Sequence, residues 1–281
     1  MTILSSTVGS EQRVEYQYWV RKHERRLRSV VRPEHPWSGI PSFSMAFQPI
    51  VNVASGGVYG YESLVRSITG DSAYAVLSQV PAKEFHLFDH ACRSKAMSEA
   101  LRCGFMDAHI TRLFVNVNPN AAVGVTSNLR LTCAEAEERG FPLERLVLEL
   151  VEDEEITDLE KLKPIIDEYR AYGVQVAMDD FGAGYSGLKL LSRLKPDLIK
   201  LDMALVHAMD EDRTSQVIVK AIVQACYELG IVTIGEGVEN YDQAMRLRDM
   251  GVIYQQGYYF ARPAFEALPG IAFTLPEMSI G

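Results

Sequence analysis

Two adjacent carboxylates, Asp179 and Asp180, end an apolar run and open a glycine-rich loop in the stretch Ala177-Met178-Asp179-Asp180-Phe181-Gly182-Ala183-Gly184-Tyr185-Ser186-Gly187-Leu188. Like charges at neighbouring positions repel, and desolvation at a strand end adds to the cost. A divalent cation reverses those local electrostatics. Alone, an Asp-Asp pair also reads as a solvated turn. Here the pattern recurs: an apolar run meets Glu62 and then Arg66, another Asn116, others Glu149 and Glu152, Lys200 and Asp202, Glu236 and Glu239, and the last Gln256. Charged residues are disfavoured in buried parallel strands. Consecutive runs that all carry polar groups near the same end are poorly explained by independent accidents.

The chemistry of the set is specific. It offers five or more carboxylates, the amides of Asn116 and Gln256 and one lysine, with neither thiolate nor imidazole. Hard oxygen ligands suit Mg²⁺ or Mn²⁺. So many carboxylates could hold two ions, and two ions roughly 3.5–4 Å apart serve phosphodiester cleavage.

The elements that must position these residues alternate along the chain. Residues 44–53 read as a strand, 54–57 as a turn and 58–64 as a returning strand, which makes a hairpin. Further strands are expected over 112–118, 146–152, 174–180, 198–202, 232–236 and 252–260. Helices are expected over 82–102, 132–139, 158–172, 185–194, 212–229 and 241–249. Strands alternating with helices give parallel βαβ units, and seven strands after the opening one suggest a closed eight-stranded α/β barrel. In such a barrel the reactive groups gather at the C-terminal strand ends, where the polar residues fall. An open doubly wound sheet is the competing architecture, but no Gly-x-Gly-x-x-Gly follows a first strand.

The 281 residues, 47% hydrophobic and 23% charged, have ordinary globular composition with enough material for a large core. A formal net charge of −9 argues against a nucleic-acid polymer as partner and fits cation binding. Cys92, Cys103, Cys133 and Cys226 lack metal-ligand spacing and read as buried thiols in a reducing compartment. No apolar run is long enough to span a membrane, and the N-terminus lacks a signal-peptide core, so a cytoplasmic protein is expected. Residues 1–40 differ from the rest: seven Lys/Arg stand against four Asp/Glu, and Pro33, Pro36, Gly39 and Pro41 break the pattern. They read as a basic helical extension and linker ahead of a barrel over 41–281. Docking on the barrel and binding a regulatory protein partner are both open for this segment.

These motifs resemble the EAL-domain phosphodiesterases, which cleave the bacterial second messenger cyclic di-GMP. The resemblance covers about residues 43–265. It rests on Phe47-Gln48-Pro49-Ile50, Glu62-Ser63-Leu64-Val65-Arg66, Phe114-Val115-Asn116, Glu149-Leu150-Val151-Glu152, Asp179-Asp180-Phe181-Gly182, Ile199-Lys200-Leu201-Asp202, Glu236-Gly237-Val238-Glu239 and Gln256-Gly257-Tyr258. It implies a modified (β/α)8 TIM-like barrel whose first strand runs antiparallel. It implies two divalent cations, Mg²⁺ or Mn²⁺, with Glu62, Asn116, Glu149 and Asp179 on the first, and Asp179 and Asp180 on the second. Lys200 resembles the lysine that orients the attacking water, and Glu236 the general base or a ligand on the second-metal side. Gln48, Leu64, Arg66 and Gln256 look like substrate contacts. Glu152, Asp202 and Glu239 look like supports of the site and its loop. The family triplet Glu-Ala-Leu reads Glu62-Ser63-Leu64 here, and a serine that adds one hydroxyl is expected to leave activity intact. The implied activity is hydrolysis of cyclic di-GMP to linear pGpG, with calcium inhibitory. A homodimer is expected through the loop after Asp180 and the leucines of 185–194. The competing functions are a non-catalytic cyclic di-GMP receptor and an enolase-type barrel enzyme.

Overall fold

The structure, a computed structural model, describes residues 40–107, 111–118, 126–151, 159–183 and 187–271. Nearly all of the expected basic extension, and Glu152, lie outside the described residues.

The chain opens with β1 (Phe43–Asn52) and β2 (Gly57–Ser67), paired antiparallel from Phe43↔Ser67 through Gln48↔Glu62 to Asn52↔Gly57. Gly56, at φ 71°, supplies the left-handed residue that this turn requires. There follow β3 (Arg112–Val117), β4 (Leu146–Val151), β5 (Gln175–Phe181), β6 (Leu198–Leu201), β7 (Val232–Gly235) and β8 (Tyr254–Gln256). Each pairs parallel with its predecessor from β2 onward. β1 closes the barrel, antiparallel to β2 on one side and to β8 on the other. The result is the eight-stranded α/β barrel with a reversed first strand that the motifs imply. Because β1 runs backwards, it starts beside the C-terminal end of β2, so residue 40 enters on the side of the barrel mouth.

Eight α-helices are described: α1 (Ala73–Leu77), α2 (Phe85–Arg102), α3 (Thr126–Arg139), α4 (Leu159–Ala171), α5 (Gly187–Leu194), α6 (Met203–Ala208), α7 (Arg213–Leu229) and α8 (Tyr241–Asp249). α7 is stopped cleanly at both ends. Asp212 accepts from the Thr214 and Ser215 backbone N–H groups, and Gly230 ends the helix at φ 71°. α5 turns Leu190, Leu191 and Leu194 into the core and leaves Leu188 72% exposed.

Inside the barrel, Ile50, Phe114, Val147, Ala177, Leu198 and Ile234 form one fully buried apolar layer. Each large side chain there contributes roughly 1.5–3 kcal/mol by leaving water. The Phe114 ring needs Gly60: a Cβ on that residue would stand 2.6 Å from Phe114 Cε2 and 2.8 Å from the Arg112 carbonyl oxygen. At the N-terminal end of the strands the barrel is closed by Tyr59 stacked on Tyr254, centroids 3.9 Å apart, with the Arg112 guanidinium over Tyr59.

Three features depart from the expected elements. α1 and α6 are additional short helices, and a two-residue strand, β9 (Ala264–Phe265), pairs with Ala46 and Phe47 of β1. The last barrel strand is three residues long rather than nine. The chain turns at Gly257, where an added Cβ would lie 2.0 Å from the Val238 carbonyl oxygen, and Gln256 O accepts from Val238 N–H at 3.0 Å.

Candidate functional site

Side chains alternate along a strand, so the residue two places beyond each inward apolar one also points inward. Two places past Phe114 stands Asn116, past Val147 Glu149, past Ala177 Asp179, past Leu198 Lys200, past Ile234 Glu236 and past Tyr254 Gln256. On the reversed β1 the step runs the other way, from Ile50 to Gln48, which sits opposite Glu62. The polar strand ends therefore form one layer directly above the apolar plug.

Lys200 is at its centre, 1% exposed. Its Nζ lies 2.7 Å from Glu236 Oε1, 2.8 Å from Asp179 Oδ1, 2.9 Å from Glu149 Oε1 and 3.5 Å from Glu62 Oε2. One ammonium faces four carboxylates. Burial works against the Lys200 charge, but Asp179, Glu149, Glu236 and Glu62 outweigh it and lift the ammonium well above the usual lysine range. Surrounded in this way, the Lys200 ammonium is a hydrogen-bond donor to the layer. Burial pushes Glu149 well above the usual carboxyl range; Lys200 opposes that, while Glu62 and Asp179 add to it. Glu236 is raised in the same way, by burial first, with Lys200 opposing and Asp179 and Glu62 adding.

Asp179 and Asp180 follow one another, so simple alternation would send them to opposite faces. The β5–β6 register shifts between Met178 and Phe181, and Asp180 takes φ 52°, a left-handed conformation uncommon for a residue with a Cβ. Both carboxylates reach the mouth in consequence. Two groups then form around a shared member: Glu62, Glu149 and Asp179, and Asp179, Asp180 and Glu236, with ligand atoms within 4.8 Å of one another in each. Glu149 Oε2 is buried with no hydrogen-bond donor among the described residues. An oxygen-only donor set with an excess of negative charge and a buried unpartnered carboxylate oxygen fits hard divalent cations.

The remaining expected residues fall in three places. Gln256 Nε2 donates to Glu62 Oε2 at 2.5 Å and to Gln48 Oε1 at 3.2 Å, and Gln48 Nε2 donates to the Ala261 carbonyl at 3.1 Å, so Gln256, itself held by Gln48, orients Glu62 from the far side of β1. Asn116, in register with Glu149, is exposed at the mouth; Arg66 is half-buried at the rim, four residues beyond Glu62 on the same face, about 13 Å along the strand. Leu64 is half-buried between them in sequence and lines a cavity beside Asn116. Asp202 and Glu239 stand apart from the layer. Asp202 caps α6, accepting from Ala204 N–H at 3.0 Å, and Glu239 is exposed, its backbone N–H bonded to Gln243 Oε1. Ser63 points away from the polar layer and donates to the Phe114 carbonyl on β3 at 2.8 Å. Sequence reasoning missed a buried pair behind β3, Asp89 and Arg93 on α2, because charged residues at helical spacing read as a solvated face.

The comparisons with known proteins agree with this geometry. A standalone EAL protein from Vibrio cholerae, solved with c-di-GMP bound, superposes with a TM-score of 0.76 at 39% identity over 82% of this chain and 95% of that one. Klebsiella pneumoniae BlrP1, in a manganese/cyclic di-GMP complex, superposes with a TM-score of 0.76 at 31% identity over 84% of this chain and 58% of that one. Cyclic di-GMP phosphodiesterase NbdA of Pseudomonas aeruginosa is 29% identical over 247 residues, 85% of this chain and 30% of that protein. The chain spans about half or less of the length of the first curated relatives it matches. Among the described residues no helix is long and apolar enough to cross a membrane. The family model described as EAL domain matches residues 40–263, the whole of the barrel and its polar layer: this chain belongs to the EAL domain family.

Proposed function

We propose that this chain is a metal-dependent phosphodiesterase that hydrolyses cyclic di-GMP to linear pGpG. The observation that carries the reading is the pair of carboxylate groups sharing Asp179 and leaning on one buried ammonium. The relatives' bound ligand and named activity support the same substrate. Glu62, Asn116, Glu149 and Asp179 would hold one Mg²⁺ or Mn²⁺, and Asp179 and Asp180 the other, with Glu236 beside them. When bound, the ions lower the pKa of a water and neutralise charge on the phosphoryl oxygens.

The chain's own residues do the rest. Arg66 suits a phosphate of the substrate at the rim. The Lys200 ammonium donates to the attacking water and fixes its direction toward phosphorus. Glu236, whose Oε1 lies 2.7 Å from that ammonium, takes the proton that water releases. The water oxygen joins phosphorus, the bond from phosphorus to the 3′ oxygen breaks, that oxygen takes a proton from solvent, and Glu236 gives its proton back to solvent.

The test is incubation with cyclic di-GMP and Mg²⁺ or Mn²⁺, followed by chromatography. The product expected is pGpG, with EDTA stopping the reaction and Ca²⁺ supporting far less of it, because its larger shell fits a tight two-ion site poorly. Intact substrate after prolonged incubation with either metal moves the protein to the receptor class. A second copy is the expected partner, and Leu188 is the α5 leucine exposed for it; a strictly monomeric mass by light scattering removes that part of the reading.

A further inference from the structure

Behind the C-terminal end of β3 lies a charged pair that the chemistry above does not use. Asp89 and Arg93, one turn apart on α2, are 8% and 3% exposed at the side chain and ion-paired. The Arg93 Nε also donates to Thr132 Oγ1 on α3 at 3.2 Å. The other Asp89 oxygen faces the sheet and accepts the backbone N–H of Asn118 at 2.9 Å. Asn118 is the first residue beyond β3 and stands two places after Asn116.

A second observation gives that bond its weight. A cavity of about 260 Å³ lies between β2, β3, α1 and α2, lined in part by Leu64, Phe88, Asp89, Arg93, Asn116 and Asn118. Side chains therefore pack less against the end of β3 on this side, and the hydrogen bond that its backbone donates to a buried, charge-paired acceptor matters more for its position. Hydrogen bonds to charged groups are about twice as strong as neutral ones. Groups that orient a metal ligand from outside commonly change metal affinity by 10–100-fold when lost.

We propose that Asp89, held by Arg93, is a positioning residue: it fixes the end of β3 so that the Asn116 amide oxygen stands in place to ligate a divalent cation. The inference rests on the proposed role of Asn116 as a metal ligand.

Titrating Mn²⁺ alone into the full chain by calorimetry, with no substrate, tests it. Asp89→Ala should weaken Mn²⁺ binding about tenfold. Combined with Asn116→Ala it should weaken binding no further than Asn116→Ala by itself, because Asp89 acts through Asn116. Asp89→Asn keeps an oxygen for the Asn118 N–H but leaves the buried Arg93 without its counter-charge. That variant should melt at a lower temperature while binding Mn²⁺ within about threefold of the unsubstituted protein. Should Asp89→Ala not fold, the Asp89→Asn result decides. Unchanged affinity in Asp89→Ala, an additive loss in the double variant, or affinity that falls in step with melting temperature in Asp89→Asn each overturns the inference and leaves the metal-site reading standing. Full Mn²⁺ affinity in Asn116→Ala, or no binding by the unsubstituted protein, overturns the ligand role of Asn116 and this inference with it.

Discussion

Two assemblies of buried charge occupy opposite sides of β3, and they are built on opposite principles. Behind the strand, each acid meets a base: Asp89 is paired with Arg93, and Glu135 Oε1 lies 3.4 Å from His90 Nε2. At the barrel mouth, four carboxylates share the one ammonium of Lys200. The contrast shows in two carboxylates of nearly equal burial. Burial pushes Glu135 upward, but His90, Ser94 and Arg139 outweigh it and hold the carboxyl below its ordinary range. Glu149 is pushed well above that range, because one lysine cannot offset burial and two neighbouring acids. Depth alone does not decide whether a buried acid is stable as an anion. The hydrogen-bond donors and charges around it do. An assembly that balances its own charge holds the fold together; one left with surplus negative charge is arranged for something the chain does not supply.

The largest effects should come from breaking the mouth. On the proposed reading, Glu62→Ala abolishes turnover in a protein that still folds, since it removes a ligand from a surplus. Lys200→Ala should lower kcat by about 10²-fold or more with substrate affinity kept within a few-fold. Product chromatography and calorimetry with Ca²⁺ in place of Mg²⁺ separate the two quantities. Equal loss of binding and turnover in Lys200→Ala contradicts its assignment to the attacking water.

Breaking the balanced assembly should act first on stability, with metal affinity following only through Asp89 and the end of β3. Arg93→Met leaves Asp89 charged, buried and unpaired, which costs about 3–5 kcal/mol. Denaturant unfolding measures it. A loss under about 1 kcal/mol would mean that water reaches the pair and that the two assemblies differ less than their geometry suggests.

The next effect is a pH dependence whose sign separates the assemblies. Glu149 and Glu236 bind their protons more tightly in the folded protein than in the unfolded chain, where the ordinary carboxyl value of 4.5 applies. The folded state therefore holds more protons, and stability falls as pH rises above about 4.5. Metal-free protein should melt at a higher temperature at pH 5 than at pH 8, and Glu149→Gln should flatten that slope. Glu135 runs the other way. Its depressed value gives stability that is present above about 4.5 and lost as pH falls through its lower folded value. Excess Mg²⁺ should remove the first dependence, since it replaces protons as the neutralising charge, and leave the second. A metal-free melting temperature that is flat between pH 5 and pH 8 would remove the surplus charge from the argument.

Most of the mouth was legible in the sequence for one physical reason. In a parallel strand buried on both faces, a polar residue two places beyond an inward apolar one has nowhere to point but the mouth, so Asn116, Glu149, Asp179, Lys200 and Glu236 could be read directly. The reversed β1 was legible as a hairpin, because the turn at 54–57 is too short for a crossover. Other features were hidden. The Asp179-Asp180 pair was legible, but not the left-handed backbone at Asp180, φ 52°, by which both carboxylates reach the mouth. Asp202 reads as a support of the site and its loop; that it caps a helix is decided by the next turn of chain. The pairing of Gln256 with Glu62 spans the closure of the barrel, 194 residues apart. Asp89 and Arg93 were invisible because a one-turn spacing of opposite charges occurs just as readily on a solvated helix face.

The smallest effect tests the wall between the two assemblies. Ser63 is the departure from the family's Glu-Ala-Leu triplet, and it lines the same cavity as Asp89, Arg93 and Asn116. Its hydroxyl turns away from Glu62 and donates to the Phe114 carbonyl, joining β2 to β3 from outside the barrel. The bond is neutral and buried, with serine 3% exposed, so its net worth is about 1 kcal/mol. Ser63→Ala should lower stability by that amount or less and leave kcat and KM within about twofold, since nothing at the mouth touches the hydroxyl. Unfolding in urea and a steady-state assay with Mg²⁺ check both. A change in turnover above tenfold would mean that a small movement between β2 and β3 reaches Glu62 or Asn116. The β2–β3 wall would then be a second route into the mouth, beside the bond from the Asn118 N–H to Asp89.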